Sequence, residues 1–285
     1  MKIGEVTIEP GIMNAACSVA KTLDDVRALT NSSVGGITIG SITVKRRQGN
    51  PEPRWYTRGN CTLNSFGMPN EGIAFYRAHL PEMLKIAHNN GKKLSLSIAG
   101  FSTLEYVELA QLADSAHVDL LELNLGCPNV TIDGKQKPIA SFDPATITEI
   151  IDAVSHVTNM PLFLKLSPYS NPAELERVAE TISKSGKVSA VVTSNTFANS
   201  IALEEGRPVL ATHLGGLSGH GLLPISLGQV WQFRKLLPDH IAVVGVGGIE
   251  SIHDVEQYIQ AGASGVQVAT LIVRDGHNAL ERLIK

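Results

Sequence analysis

The sequence is poor in the residues that mark secreted, metal-binding or membrane-inserted proteins. Cysteine occurs three times in 285 residues, at Cys17, Cys61 and Cys127, with no CxxC pair. An odd and scattered set of this kind argues against a disulfide framework and a structural zinc site, and it fits a reducing cytosol. No apolar run approaches the ~20 residues that a membrane span needs, and the first ten residues lack the apolar core of a signal peptide. We therefore expect a cytoplasmic protein without a membrane anchor.

The chain also lacks an excess of either charge. It has 24 Lys and Arg residues against 27 Asp and Glu residues, a net charge of -3, and the basic residues are scattered. This argues against binding to nucleic acid or to an anionic membrane surface, because both need massed positive charge. The nine histidines show no metal-ligand spacing, so no metal is predicted. A small molecule is the expected partner.

Short β-branched runs alternate with longer amphipathic runs along the whole chain. Eight βα repeats in a chain of this size predict a (β/α)8 TIM barrel that occupies residues 1–285 as a single domain. A doubly wound sheet is the alternative. Long insertions are predicted after strands 2, 4 and 6, at the C-terminal face where barrel active sites lie. The eight runs typical of strands are 11–16, 35–40, 93–99, 120–125, 161–166, 189–194, 241–246 and 265–270.

Four polar residues follow or end predicted strands and should meet at one barrel mouth. Asn124 and Lys165 end strands 4 and 5, Asn195 follows strand 6, and Asn64 lies in the long segment after strand 2. A single asparagine at a strand end is usually a turn former or a cap. Several together offer paired donors and acceptors, which complement the alternating N–H and C=O edge of a pyrimidine dione or a similar cyclic imide.

The last two βα loops carry a pattern that suits phosphate. Gly247 and Gly248 follow strand 7, and Ala269 and Thr270 close strand 8. Backbone N–H groups in these loops of a barrel commonly hold a phosphate, although two glycines are also compatible with a tight turn. Many kinds of enzyme share such a site, so it does not identify the reaction.

Seven motifs together resemble the dihydroorotate dehydrogenase family, in the family's order and over nearly the whole chain. Cysteine in the tripeptide CPN and the following GKQKPIASFD are similar to the soluble class 1 branch. The resemblance implies an FMN-dependent TIM barrel that oxidises dihydroorotate to orotate in pyrimidine biosynthesis. The motifs are GNPEPRW (49–55), LNSFGMPN (63–70), ELNLGCPNV (122–130), LKLSP (164–168), TSNT (193–196), GGLSG (215–219) and VGGIES (246–251).

The resemblance also implies roles for individual residues. Cys127 matches the general base that takes a proton from substrate C5 while a hydride passes from C6 to flavin N5. The implied substrate-binding residues are Asn64, Gly67, Met68, Asn124, Asn129, Asn195 and Thr196. The implied FMN-binding residues are Ala15, Ala16, Ser41, Ser97, Asn124, Lys165, Gly219, Gly247, Gly248, Ala269 and Thr270. A homodimer reoxidised by fumarate is implied as well.

The sequence departs from the class 1 pattern near strand 2. Gly40 stands where class 1 members carry a lysine that touches flavin and substrate. Lys21 has the spacing of the lysine that replaces it in the class 2 branch, so we expect Lys21 to bind the substrate carboxylate; a solvated lysine at a helix start is the alternative. Cys17 and Cys61 match no motif position and are predicted to be packing residues. The segment 130–143, which contains Gly134 and few apolar residues before Ile139, is predicted to be a lid that closes over the substrate.

Two other functions stay open on the sequence. The first is a related flavin oxidoreductase that acts on another pyrimidine or unsaturated small molecule, which the missing lysine at Gly40 suggests. The second is a flavin-free phosphate-binding barrel, either an isomerase or a binding protein without catalytic activity.

Overall fold

Eight parallel strands close into a barrel in the computed structural model, which describes residues 1–132 and 135–284. Around the barrel the strand order is β5-β6-β7-β8-β1-β2-β3-β4, with every neighbouring pair parallel. The predicted TIM barrel is confirmed, and the doubly wound alternative is wrong because the sheet has no open edge. The strands are β1 (Ile12–Asn14), β2 (Gly36–Ile42), β3 (Lys93–Ile98), β4 (Leu120–Asn124), β5 (Leu162–Leu166), β6 (Val188–Thr193), β7 (Ala242–Val246) and β8 (Gly265–Val268).

Helices on the outside of the barrel connect most of the strands, and their ends have defined caps. Thr22 caps the first helix in a capping box with Asp25, and Asn171 caps the fifth through Ala173 N–H. None of the helices in the described part of the chain is long and apolar enough to cross a membrane. The helices are α1 (Leu23–Thr30), α2 (Ile73–Asn89), α3 (Thr103–Ala116), α4 (Pro144–Ser155), α5 (Pro172–Ser185), α6 (Leu223–Leu236), α7 (Ile252–Gln260) and α8 (Thr270–Asp275).

The apolar core has two parts, one on each side of the barrel wall. Alternate strand residues such as Ile37 and Ile39 face outward and pack with the helices. Residues of the opposite set, including Phe163, fill the barrel interior. A short antiparallel hairpin, Lys2–Ile3 with Val6–Thr7, adds Ile3 to this interior cluster. The hairpin packs at the start of β8 and therefore lies at the N-terminal end of the barrel.

The insertions after β2 and β6 pair with each other. Their four antiparallel strands lie in the order 197–200, 215–218, 61–64 and 55–58, and Asn64 pairs with Gly216. The segment after β4 contains a small strand pair and the short 3-10 helix Ala140–Phe142. The predicted insertions after strands 2, 4 and 6 are thus present, and they build the C-terminal mouth of the barrel.

Candidate active site

A cavity lies at the C-terminal mouth of the barrel, with about 890 Å³ of space between its lining atoms that includes solvent at its open side. Strand ends and the inserted sheet both line it, so residues distant in sequence share one space. The predicted site residues that line it are Ala15, Ala16, Lys21, Ser41, Asn64, Gly67, Met68, Asn124, Cys127, Asn129, Lys165, Asn195, Thr196, Ala269 and Thr270.

The four predicted asparagines form two hydrogen-bonded pairs in this cavity. Asn129 Nδ2 donates to Asn64 O at 3.0 Å and to Asn64 Oδ1 at 3.3 Å. Asn195 Nδ2 donates to Asn124 Oδ1 at 3.4 Å. Each pair joins two different insertions or strand ends, and the amides keep further donors and acceptors for a ligand. The arrangement therefore fits the edge of a ring with alternating N–H and C=O groups.

Two serines hold Asn124 in position. Asn124 Nδ2 donates to Ser41 Oγ at 2.8 Å, and Ser41 Oγ lies 2.9 Å from Ser97 Oγ. Ser97 is fully buried and is not among the described residues that line the cavity. Its hydroxyl supports Ser41, and its predicted contact with FMN stays a prediction.

Cys127 lies in the loop after β4, between the main cavity and a smaller one of about 260 Å³. Tyr106 and Lys137 also line the smaller cavity. Burial raises the pKa of the Cys127 thiol, while the Asn129 backbone N–H and the positive charges of Lys137 and Arg47 act to lower it. The thiol therefore stays largely protonated at neutral pH, and a base at this position gains strength as the pH rises.

Lys165 is the buried cation of the site. The residue is 4% exposed and its Nζ donates to Gln267 Oε1 at 2.8 Å. Burial lowers the pKa of Lys165, and the negative charge of Glu122 opposes that effect. An ammonium has three N–H donors, so a second acceptor at the cavity can still be bound.

The loops after β7 and β8 flank the cavity. Gly247 and Gly248 have φ of +127° and +74°, and a Cβ on either one would collide with Ser226 or Leu223 of α6. Gly219, Gly247 and Gly248 are not among the described residues that line the cavity. Ser218, which precedes Gly219, and Val246, which precedes Gly247, do line it. Their predicted contact with phosphate stays a prediction.

At the end of β2, Gly40 stands where the resemblance implied a lysine. Gly40 has φ of +112°, and a Cβ there would collide with Ser97 O, so no lysine fits. Lys21 lines the cavity from the segment after β1. Burial lowers its pKa, the Cys17 thiol acts to raise it, and Arg54 lowers it further. Lys21 is thus at the cavity, and its role in substrate binding stays a prediction.

Several residues differ from the expectations. Cys17, predicted to be a packing residue, lines the cavity, because the segment after β1 turns across the mouth. Cys61, predicted likewise, is exposed at the start of strand 61–64, an inner strand of the inserted sheet. Sequence reasoning also missed Trp55 and Phe66, which line the cavity with ring centroids 5.8 Å apart. Trp55 lies in the motif GNPEPRW and Phe66 in LNSFGMPN, so these motifs could have identified both residues. Gly134, the centre of the predicted lid, lies outside the described residues.

Metal ligands do not gather in the parts of the chain that the structure describes. Within residues 1–132 and 135–284, no three His, Cys, Asp or Glu side chains are placed to hold a metal ion.

Comparison with known proteins gives consistent matches along the full chain. The family model described as Dihydroorotate dehydrogenase matches residues 1–285. Dihydroorotate dehydrogenase (fumarate) of Trypanosoma cruzi is 35% identical over 280 residues, covering 95% of this chain and 86% of that protein. Dihydroorotate dehydrogenase B (NAD(+)), catalytic subunit, of Phocaeicola vulgatus is 30% identical over 273 residues with the same coverages.

A solved structure is similar as well. A crystal structure of DHODH in complex with ferulenol, from Eimeria tenella, has a TM-score of 0.83 and covers 99% of this chain and 81% of that one. At 21% identity, this likeness supports the fold alone.

Proposed function

The chain belongs to the dihydroorotate dehydrogenase family, and from that membership we propose how its own residues carry out the reaction. It is an oxidoreductase acting on a CH–CH bond, and its reaction is the oxidation of dihydroorotate to orotate in pyrimidine biosynthesis. The observation that carries the residue assignments is that Cys127 and the four asparagines line one cavity.

The asparagines hold the substrate ring. Asn64 and Asn129 form one hydrogen-bonded pair, and Asn124 and Asn195 form the other. Their amides bind the imide edge of dihydroorotate, which alternates donors and acceptors. Gly67, Met68 and Thr196 complete the contact. Thr196 Oγ1 is buried and has no hydrogen-bond partner within the described residues, so a ligand atom would satisfy it.

Cys127 takes the proton from C5 of the substrate. The reaction removes a hydride from C6 and a proton from C5, so one base must face the ring. The Cys127 thiolate accepts that proton and afterwards releases it to solvent. Because burial raises the pKa of the thiol, the rate of this step increases as the pH rises through that pKa.

FMN is the proposed cofactor, and the cavity fits it. Ala15, Ala16, Ser41 and Lys165 line the cavity and would hold the ring, and the loops that contain Gly219, Gly247, Gly248, Ala269 and Thr270 would hold the phosphate. The collision that a Cβ would cause at both loop glycines shows that this loop packs closely against Ser226 and Leu223 of α6. When bound, the flavin would accept the substrate hydride. The Lys165 ammonium offers positive charge to the reduced ring.

Lys21 binds the substrate carboxylate. A carboxylate in a cavity lined mainly by neutral amides needs a cation or several N–H donors to offset its desolvation. Lys21 lines the same cavity and reaches it from the segment after β1. Gly40 lies beside this segment, with its backbone N–H donating to Ala20 O at 3.0 Å, and it leaves room for the stem of Lys21.

Fumarate is the proposed electron acceptor. The protein is proposed to be a cytoplasmic homodimer. The Trypanosoma cruzi relative is named for fumarate and is more similar to this chain than the Phocaeicola vulgatus relative, which is named for NAD(+). Reoxidation of the reduced protein by fumarate or by NAD(+) decides the acceptor, and sedimentation of the purified protein decides the dimer.

Anaerobic mixing with dihydroorotate tests the reaction directly. We expect the yellow protein to bleach in a single turnover and orotate to appear in equal amount. The control is dihydrouracil, which has the same ring without the carboxylate. Bleaching by dihydrouracil and not by dihydroorotate would contradict the proposal and favour a flavin oxidoreductase for another pyrimidine.

A further inference from the structure

A buried chain of three polar side chains crosses the barrel interior below the proposed flavin site. Lys165 Nζ donates to Gln267 Oε1 at 2.8 Å, and Gln267 Nε2 donates to Glu122 Oε2 at 2.7 Å. Lys165 is 4% exposed, and Gln267 and Glu122 are both fully buried. The amide of Gln267 therefore links an ammonium to a carboxylate with one orientation that satisfies both.

The barrel itself creates this juxtaposition. Lys165 lies on β5, Glu122 on β4 and Gln267 on β8, and Lys165 pairs in register with Asn124 while Glu122 pairs with Phe163. Glu122 is thus one layer further from the mouth than Lys165. Gln267 bridges the two layers from across the barrel, so neither charged side chain can adopt another rotamer without losing this bond.

The charges of Lys165 and Glu122 stabilise each other through this chain of hydrogen bonds. A buried ammonium is costly unless an opposite charge or hydrogen bonds offset the cost, and a buried carboxylate has the same requirement. Each charge here offsets the other through a polarised amide, in surroundings where such chains are stronger than in water. Glu122 Oε1 has no hydrogen-bond partner within the described residues, so this carboxylate depends on Gln267 and on the charge of Lys165.

We propose that Glu122 and Gln267 are positioning residues that keep Lys165 protonated and directed at the flavin ring. The proposal rests on the proposed function, because it takes Lys165 to be the cation beside the flavin. Glu122 supplies the negative charge, and Gln267 transmits it and fixes the direction of Nζ. Within the described residues, the Cys17 thiol on the segment after β1 is the other titratable group whose charge acts on Lys165.

Sulfite titration of the FMN-loaded protein against pH tests this proposal without turnover. Sulfite adds to N5 of an oxidised flavin and leaves negative charge on the ring, so its affinity reports a cation nearby. In the parent protein, affinity should fall as Lys165 loses its proton at alkaline pH. In Glu122→Gln, that fall should come at a pH lower by about one unit, because the charge that stabilises the ammonium is gone.

Two further variants separate positioning from general damage to the core. Gln267→Leu removes the bridge, so sulfite affinity should decrease at a lower pH than in the parent, as in Glu122→Gln. This variant also decides the test if Glu122→Gln fails to retain FMN. Ser95→Ala is the matched control, since Ser95 is a buried barrel polar residue outside this chain of hydrogen bonds. It should leave the parent pH dependence unchanged.

A combination with arginine completes the test. In Lys165→Arg the cation does not lose its proton in this pH range, so adding Glu122→Gln should no longer move the profile. An equal pH dependence in the parent, Glu122→Gln and Gln267→Leu would overturn the proposal. Failure of the parent protein to bind FMN would instead overturn the proposed function, so the two failures are distinguishable.

Discussion

Replacing Lys21 by alanine should weaken orotate binding, because the substrate carboxylate would lose its cation. Both carboxylates near Lys21 already have partners. Asp25 accepts the backbone N–H groups of Lys21 and Thr22 at 2.9 Å, and Glu71 forms a salt bridge with Arg46 at 2.8 Å. The orotate carboxylate is therefore the natural partner for the Lys21 ammonium.

The magnitude follows from one charge-assisted hydrogen bond in a half-buried position. Such a bond contributes roughly 1–3 kcal/mol, which corresponds to an increase of about 5- to 150-fold in the orotate Kd. The pH dependence has a defined sign. Burial lowers the pKa of Lys21, and orotate binds the protonated form, so orotate affinity should decrease as the pH rises through that lowered pKa. In Lys21→Ala this decrease should be absent.

Titration of the FMN-loaded protein with orotate, followed by the flavin spectrum, measures the effect. Uracil serves as the ligand control, because it lacks the carboxylate and its Kd should not change. Lys45→Ala is the matched variant, a lysine on the neighbouring segment that is exposed and does not line the cavity. Unchanged orotate affinity in Lys21→Ala would refute the reasoning, and so would an equal loss of orotate and uracil binding.

The remaining predictions concern the base and its loop. Cys127→Ser should keep FMN and orotate binding while flavin reduction by dihydroorotate slows by ~10²–10⁴-fold, measured by stopped flow; an unchanged rate would remove Cys127 from the mechanism. Lys137→Ala should move the rising limb of the reduction rate to higher pH, because the positive charge that partly offsets the burial of the thiol is lost. Lys135→Ala, at an exposed position, is the control variant. Equal pH profiles of the reduction rate in the two variants would argue against this role of Lys137. Hydrogen exchange in 135–142 should slow when orotate binds, as expected of a lid, and equal exchange would contradict closure.

The strands and helices were predictable because each one is encoded locally. All eight predicted strands overlap barrel strands, and α5 (Pro172–Ser185) lies between two residues with strong capping preferences. Apolar residues bounded by turn formers define a strand within a few residues, and Asn171 and Gly186 define the ends of this helix by capping chemistry. Asn124 and Lys165 could be placed at one mouth because parallel barrel strands all end on the same face.

The inserted sheet was not predictable in the same way. Asn64 Nδ2 bonds Gly216 O and Ser218 Oγ, partners more than 150 positions away along the chain. The short strands involved carry no periodic signal long enough to distinguish them from loops. Cys17 was misassigned for a related reason, since the path of the segment after β1 depends on the packing of the closed barrel.

The sequence by itself determined the barrel, its insertions and the residue types of the site, because these depend on local periodicity and on motifs. The tertiary structure alone decided which side chains meet. Lys165 and Gln267 are 102 positions apart and Gln267 and Glu122 are 145 apart, yet they form one buried chain of hydrogen bonds. Closure of the barrel brings β8 across from β4 and β5, and exclusion of water from the interior makes each polar group there seek a partner. Neither condition is written in any local stretch of the chain.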